Sequence, residues 1–374
     1  MMASEGRDLV LRGLDGSNPL GFLAAIGVLA IASDEESIRV RMGWTEEEAW
    51  HPFLHINPDS CTDRLPEILL TGLKATKRTS RGNPDEVKLR DELQEARRRL
   101  RSVPKAARKN ESTPEKKELL ASLQTEVESK REAWLSIRRN LVNSPELALG
   151  NTAAVPSEEF RELVMELAGD ASPRKRSFID TITNFGCDAC TEKTGGMIRT
   201  TPFCFITGSG HQYFLKTAND LMEKVDVGQI RRCLYEAWTY EDEQLSMRWD
   251  PTEDRRYALM WKNPSTEKGK TVWAANLLAY RGLRLLASVP MEGRLETTGF
   301  VLIEGRQFFT WPIWNAALTS DTVRSVLSIR ELRDRNPDRE RLSKMGIAEV
   351  FRSERMKVGL GSQYKVNFSQ AGPV

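Results

Sequence analysis

The longest uninterrupted apolar stretch of the chain covers residues 20–32, close to its start. Such a stretch is too short for a transmembrane helix, which needs about 20 residues, and it therefore predicts a buried helix. Pro19 favours the first turn of that helix, and Ser17 or Asn18 can cap its N-terminus. Flanking residues 8–13 and 38–44 are predicted as strands, so the chain begins with a strand, a tight turn, a buried helix and a strand.

Small residues make one side of this helix thin. Gly21, Ala24, Ala25 and Gly27 lack bulky side chains, and two of them lower the intrinsic helix propensity. We therefore expect the helix to pack closely against the backbone of another element.

Two polar stretches further along each carry one narrow apolar stripe at helical spacing. The first stripe consists of Leu89, Leu93, Ala96, Leu100 and Val103, and the second of Leu119, Leu123, Val127, Trp134, Ile137 and Leu141. Because a loop bounded by prolines separates them, residues 84–142 are predicted to form an antiparallel helical hairpin. Each stripe is too narrow to lie inside a large core, so we expect the hairpin to project.

The fold class follows from these patterns and from the chain length of 374 residues, which exceeds what one core usually supports. We predict a mixed α/β (α+β) fold, an irregular multi-domain body with a projecting antiparallel helical hairpin. The expected domains are an N-terminal α/β module with a basic loop (1–83), the hairpin (84–142), a central mixed α/β domain (143–320), and a helical basic segment with a polar tail (321–374).

The formal net charge is only +2, so the distribution of charge is more informative than its total. Two basic stretches contain no acidic residue. The first is a loop with Lys74, Lys77, Arg78 and Arg81, and the second contains Arg97, Arg98, Arg99, Arg101, Lys105, Arg108 and Lys109. Such stretches are often solvated faces, but this asymmetry favours a protein that binds phosphates on one side and a protein partner on another. We rank the loop first for phosphate contact and the hairpin second.

Two further segments are candidates for nucleic-acid contact. Residues 208–212 form a Gly-rich turn ending in Gln212, whose backbone N–H groups can face a phosphate or simply precede a helix. Near residue 250, Arg255 and Arg256 can clamp phosphate while Trp249 or Tyr257 stacks on a base. The alternative for this second segment is a turn with internal Asp–Arg pairs.

Motifs for catalysis are missing. The chain has no Walker A motif, dinucleotide fingerprint, His-Glu-x-x-His or nucleophile elbow, and it has only three histidines. We therefore expect no enzymatic activity and no cofactor. Two alternatives stay open: a Mg²⁺-dependent enzyme acting on nucleotides or nucleic acid through Asp15, Asp250 and Asp254, and a purely protein-binding adaptor.

Cysteine usage bears on metal binding and on location. Cys187 and Cys190, with Cys204 and His211 downstream, can hold a structural zinc ion or can be small apolar residues of a Gly-rich segment. No cleavage site follows the first apolar stretch, so we expect no signal peptide and no membrane insertion. Five cysteines without an export signal indicate reduced thiols in the cytoplasm.

Four blocks of sequence resemble a known family. They are LRGLDGSNPLGFLAAIGVL at 11–29, GSGHQ at 208–212, WDPTEDRRY at 249–257 and AANLLA at 274–279. They are similar to the large-subunit-type proteins of type I-U (also called I-G) CRISPR systems, and they cover less than a fifth of the chain.

That resemblance implies a non-catalytic subunit of an RNA-guided antiviral surveillance complex. Such a subunit contacts the crRNA handle and target DNA, and it docks other effector subunits and a helicase–nuclease. The resemblance assigns no residue-level roles, so the candidate residues above rest on their chemistry.

Overall fold

A computed structural model describes residues 7–74, 84–103, 114–141, 144–169, 173–193, 195–206, 212–253, 269–358 and 365–374. Its helices are α1 (Pro19–Ala32), α2 (Leu65–Leu73), α3 (Pro84–Ser102), α4 (Pro114–Leu141), α5 (Ser157–Ala168), α6 (Pro173–Phe185), α7 (Phe214–Lys224), α8 (Val227–Tyr235), α9 (Trp273–Gly282), α10 (Ser320–Leu327) and α11 (Arg339–Lys344). Helices and strands mix irregularly, so the predicted mixed α/β (α+β) class is confirmed.

The strands are short and antiparallel. They are β1 (Arg7–Val10), β2 (Arg39–Glu46), β3 (Trp50–Asn57), β4 (Gly186–Thr191), β5 (Ile198–Thr200), β6 (Asp242–Glu243), β7 (Lys270–Thr271), β8 (Ser288–Met291), β9 (Arg294–Thr297), β10 (Phe300–Ile303), β11 (Arg306–Trp314), β12 (Ile347–Val358), β13 (Lys365–Phe368) and β14 (Gly372–Pro373). One sheet has the order β1-β3-β2 and a larger one the order β10-β11-β12-β13, with β14 also paired to β12. Strands β4–β5, β6–β7 and β8–β9 form two-stranded pairs.

The chain divides into two compact units. One consists of Met1–Ala75 together with Leu149–Val374, and the other of Thr76–Ala148. The sequence suggests four divisions, whereas the structure groups the first 75 residues with the long C-terminal part.

Helix α1 is the predicted buried helix, and every one of its residues is buried. Its N-terminus is capped by Asn18, whose side-chain oxygen accepts from the N–H of Leu20 at 2.8 Å and of Gly21 at 3.3 Å. Pro19 occupies the first helical position, where its missing N–H costs nothing. Among the described residues, no helix has both the length and the apolar character needed to cross a membrane.

The expected close backbone contact is made with α9. A Cβ atom placed on Gly27 would lie 1.9 Å from the carbonyl oxygen of Leu278, and one on Gly282 would lie 2.4 Å from that of Leu23. Real Cβ contacts are essentially never this short, so only glycine fits at either position. The two helices therefore cross with their backbones touching.

An aromatic cluster joins α1 to both larger sheets. The ring of Phe22 lies 5.8 Å from Trp44 of β2 and 5.7 Å from Trp311 of β11. Buried indole N–H groups need acceptors. That of Trp311 donates to Gly16 O at 2.8 Å, and that of Trp314 donates to Met42 O at 2.9 Å. The first hydrogen bond fixes β11 against the turn that precedes α1, and the second fixes it against β2.

The second unit contains the predicted antiparallel hairpin of α3 and α4. At one end Glu86 accepts from the Trp134 indole at 2.7 Å, and further along Lys130 pairs with Glu92 at 2.8 Å. Nearer the connecting segment, Arg99 pairs with Glu126. This order of partners runs in opposite directions along the two helices, so the hairpin is antiparallel.

The prediction of the second apolar stripe, on α4, was partly wrong. Leu119 is 54% exposed, whereas Leu135, which the stripe omitted, is buried. The inward face of α4 also holds Arg131 and Arg138, with side chains only 11% and 14% exposed. A search for apolar residues misses such positions, because an arginine can bury its stem while its guanidinium pairs with Glu128 or Glu86.

We predict that Gly27→Ala destabilises the protein although alanine is the better helix former. Alanine gains up to about 1 kcal/mol of helix propensity, but its Cβ overlaps Leu278 O, and we expect a net loss of about 2–4 kcal/mol. Urea unfolding measures the difference. Gly169→Ala is the control, because its nearest neighbour would be 3.5 Å away. Equal stability of the Gly27 and Gly169 variants would refute the close helix crossing.

Candidate nucleic-acid interface

The last turns of α3 carry the best-described part of the basic hairpin cluster. Arg98 is 73% exposed and pairs with Glu95 of its own helix at 2.9 Å, while Arg97 has no ion-pair partner within the described ranges. Arg101 also lies in α3. Exposed pairs of this kind contribute about 0–1 kcal/mol, so a phosphate can replace the carboxylate at little cost.

Charge along the hairpin is strongly uneven. Residues 97–117 contain nine Lys or Arg and two Glu, and this stretch includes the end where α3 and α4 are connected. At the opposite end the buried Glu86 holds Trp134 and Arg138 together. Burial lowers the pKa of Arg138, and the nearby Glu86 carboxylate opposes that shift. The excess of positive charge in the hairpin sequence therefore lies toward its connecting end.

Most of the remaining predicted cations fall outside the described residues. These are Lys77, Arg78, Arg81, Lys105, Arg108, Lys109, Arg255 and Arg256. Lys74 is described: it ends α2, its backbone N–H donates to Leu70 O at 2.9 Å, and its side chain is half-buried.

A third group of arginines, between residues 324 and 341, is neutralised within the body of the protein. Each of five pairs joins this segment to a carboxylate: Arg324–Asp180, Arg333–Glu296, Arg335–Glu304, Arg339–Glu349 and Arg341–Glu331. Residues 324–341 contain six arginines and four acidic residues, so their net positive charge is smaller than that of 97–117, which makes them a suitable control surface.

The predicted stacking role of Trp249 is wrong. Its side chain is fully buried, and its indole N–H donates to Phe203 O at 2.9 Å. The ring packs edge-on against Phe203 and Phe214, so no base can reach its face. Gln212 accepts from the Arg248 guanidinium at 2.7 Å, and Tyr257 lies outside the described residues.

Asp250 is buried and its carboxylate is occupied by hydrogen-bond donors. The Asn18 amide donates to it at 3.2 Å, the Tyr240 hydroxyl at 2.9 Å and the Thr252 N–H at 3.0 Å. A metal ligand needs its oxygen lone pairs free, so these donors oppose Mg²⁺ binding.

The carboxylate of Asp15, like that of Asp250, is occupied by hydrogen-bond donors. Both of its oxygens accept from Ser17 at 2.8 Å, which fixes the turn before α1. Asp254 lies outside the described residues. Across the described ranges, no group of three or more His, Cys, Asp or Glu side chains is arranged to hold a metal ion.

Hydrogen bonds link the four resembling blocks to one another or to their immediate neighbours. Asn18 of the first block holds Asp250 of the third. Asn276 of the fourth accepts from the N–H of Met247, two residues before the third, at 2.8 Å. Gln212 of the second is held by Arg248. These hydrogen bonds thus tie the other three blocks to residues 247–250.

The network also holds a strained segment. Tyr240, Gln244, Leu245 and Arg248 all have φ between 49° and 63°, the left-handed region that non-glycine residues rarely adopt. Each such residue costs about 1–3 kcal/mol and persists only where its surroundings over-determine it. The hydrogen bond between Asn18 and Asp250 was not predicted from the sequence. Its only signals there are the dipeptides Asn18-Pro19 and Asp250-Pro251.

None of the five cysteines, all of which the structure describes, forms a disulfide bond. Cys190 contacts Arg294 O at 3.3 Å and Cys204 contacts Ile206 O at 3.7 Å. Burial raises the pKa of Cys204 to about 12, and burial also raises that of Cys187. His211 lies outside the described residues.

No protein-family model matches this chain, and no curated protein matches its sequence. The charge distribution, the buried network and the four resembling blocks are therefore what bears on its function.

We predict that the stability of the protein falls at alkaline pH because of two buried thiols. Burial raises the pKa of Cys204 to about 12 and also raises that of Cys233, whereas the pKa of a cysteine in the unfolded chain is about 8.5. Above that pH the unfolded state releases protons that the native state keeps, which costs about 1.4 kcal/mol per pH unit for each thiol.

Urea unfolding over the range from about pH 8.5 to 10 measures this slope. Cys204→Ala should flatten it, whereas Cys61→Ala, at a half-buried position, should leave it unchanged. An equal slope in the wild type and the Cys204 variant would show that this thiol is accessible.

We predict that Asp250→Asn lowers the free energy of unfolding by about 1–3 kcal/mol. An amide has one acceptor oxygen in place of two, so at least one of the donors from Asn18, Tyr240 and Thr252 loses its partner. Asp8→Asn, at a 62% exposed position, is the control. Thermal unfolding should also be unaffected by added Mg²⁺; a Mg²⁺-dependent rise in Tm that Asp250→Asn abolishes would instead establish a metal site.

Proposed function

We propose that this protein is a non-catalytic, nucleic-acid-binding subunit of an RNA-guided antiviral complex of the type I CRISPR class, acting in the cytoplasm. It contacts the crRNA handle or target DNA, and it docks neighbouring effector subunits and a helicase–nuclease. The observation that carries this proposal is the concentration of cations at the connecting end of the α3–α4 hairpin.

The first support is electrostatic. A backbone phosphate that meets Lys or Arg releases condensed counterions, and this release drives binding regardless of base sequence. The whole chain is nearly neutral, so nine cations against two anions over residues 97–117 form a local field rather than a general basic character. A field of this kind attracts a polyanion to one place on the protein.

The second support is mechanical. Binding groups act best on rigid elements. Lys130 and Glu92 tie the middle of the hairpin, and the Glu86–Trp134 hydrogen bond ties its far end. The arginines of α3 are therefore held on a helix with fixed spacing, where only some can face one strand at a time.

The third support is the nature of the resembling blocks. Asn18, Asp250 and Asn276 hold the backbone by hydrogen bonds, and these blocks offer no reactive side-chain pair within the described residues. Blocks that maintain a scaffold are what a structural subunit of a ribonucleoprotein requires. The same hydrogen bonds argue against the Mg²⁺-dependent enzyme considered from the sequence.

Charge reversal tests the proposal. Replacing Arg97, Arg98 and Arg101 by Glu should weaken binding of a single-stranded oligonucleotide about 10- to 100-fold, and it should lower the salt slope by about 0.7 for each phosphate that is no longer neutralised. Replacing Lys77, Arg78 and Arg81 by Glu tests the loop separately. Fluorescence anisotropy measures both from about 0.05 to 0.4 M NaCl.

The matched control changes the same amount of charge elsewhere. Arg333, Arg335 and Arg339 are exposed but paired with carboxylates, so their replacement by Glu should leave the slope unchanged. If the hairpin and loop variants both bind with wild-type affinity and slope, the proposal is wrong. Salt-insensitive wild-type behaviour with no oligonucleotide affinity would indicate the protein-binding adaptor instead.

A further inference from the structure

The outward side of the three-stranded sheet carries aromatic rings on its central strand, β3. Burial alternates along this strand: Pro52, Leu54 and Ile56 are buried, whereas Phe53 and His55 are half-buried. Successive side chains of a strand point to opposite sides of the sheet, so the two rings point away from the core. They are therefore accessible from solvent in part, at the middle of the sheet.

The ring of Phe53 reaches across the neighbouring strand. Its partners in register are Val10 of β1 and Gly43 of β2. A Cβ atom on Gly43 would lie 2.6 Å from the far end of the Phe53 ring and 2.9 Å from the carbonyl oxygen of Ala316. A glycine within a strand often marks such a close approach. The missing side chain at position 43 thus gives the ring the space to lie over β2.

Charge differs between the two edges of this side of the sheet. Arg41 of β2 lies directly opposite His55, so it points the same way as the rings, and Arg39 shares that side. Both arginines are exposed, and neither has an ion-pair partner in the described part of the chain. On the opposite edge, Asp8 of β1 contacts His55 at 3.0 Å. The positive edge is therefore β2, two strands away from Asp8.

The spacing of the two arginines suits the backbone of a polynucleotide. Alternate residues of a strand lie about 7 Å apart, which is comparable to the separation of successive phosphates in an extended single strand. The acidic residues 46–48 follow only at the far end of β2, about 17 Å along the strand from Arg41. Bases of a strand that follows β2 reach the adjacent β3, where the ring of Phe53 can stack on a base of any identity.

We propose that the outward side of the β1-β3-β2 sheet binds single-stranded nucleic acid, with a base stacked on Phe53 and phosphates paired with Arg39 and Arg41. This inference rests on the nucleic-acid-binding function proposed above and adds a base-contacting surface in the larger unit. A duplex does not fit, because its bases are stacked inside the helix and cannot reach the ring. Stacking does not release counterions, so its loss lowers affinity without changing the salt slope.

The test measures binding of a single-stranded oligouridine to variants of the full chain, by fluorescence anisotropy at several salt concentrations. Phe53→Leu keeps an apolar side chain and removes the ring, so it should weaken binding about tenfold at an unchanged salt slope. Phe53→Tyr keeps the ring and should bind like the wild type. Arg41→Gln, at an exposed position, should weaken binding and lower the slope by about 0.7.

Matched controls come from the larger sheet. Phe308 is also half-buried, but the guanidinium of Arg306 already lies over its ring, 5.7 Å from the centroid. Arg306 in turn pairs with Glu354 at 2.9 Å. Phe308→Leu and Arg306→Gln should therefore leave both the affinity and the slope unchanged. Phe53→Leu should also leave the binding of a duplex of the same length unchanged.

The proposal is overturned if Phe53→Leu binds the oligouridine like the wild type, if Phe53→Tyr fails to restore binding, or if Phe53→Leu weakens the duplex equally. A wild-type slope in Arg41→Gln would overturn the phosphate contact. An unchanged Phe53→Leu beside weakened hairpin variants contradicts this inference alone, whereas a wild type that binds no oligonucleotide contradicts the proposed function as well.

Discussion

The larger unit depends on the contact between the backbones of α1 and α9. Gly27 and Gly282 allow the carbonyl groups of one helix to touch the other, and no side chain fits between them. This crossing places the N-terminus of α1 where Asn18 reaches Asp250. It also places Phe22 between Trp44 and Trp311, so that both larger sheets share one aromatic core. A change in the helix distance would disturb all of these contacts together.

The hydrogen-bond network that includes Asn18 and Asp250 explains why the protein keeps polar residues in its core. Asp250, Asn18 and Asn276 each satisfy backbone or side-chain groups that an apolar core would leave unpaired. They hold the left-handed residues around Tyr240 and Arg248 in place. The network is therefore a scaffold.

Local patterns in the sequence predicted the elements better than the site. The apolar stretch at 20–32 and its small residues indicated both the buried α1 and its close packing, and two stripes indicated the hairpin. The prediction for Trp249 failed because burial depends on long-range contacts with Phe203 and Phe214, which no short pattern reveals. The inward Arg131 and Arg138 were missed because a polar residue with a buried partner looks solvent-exposed in a sequence.

We propose above that nucleic acid binds the connecting end of the hairpin. Ultraviolet crosslinking of the wild-type chain to single-stranded RNA and DNA, followed by peptide mass spectrometry, locates the contact without altering any residue. We expect crosslinks concentrated in peptides from 97–117, and fewer of them as salt rises. Crosslinks confined to the segment 324–341, in which five of the six arginines are paired with carboxylates, or no specific crosslinks at low salt, would contradict this proposal.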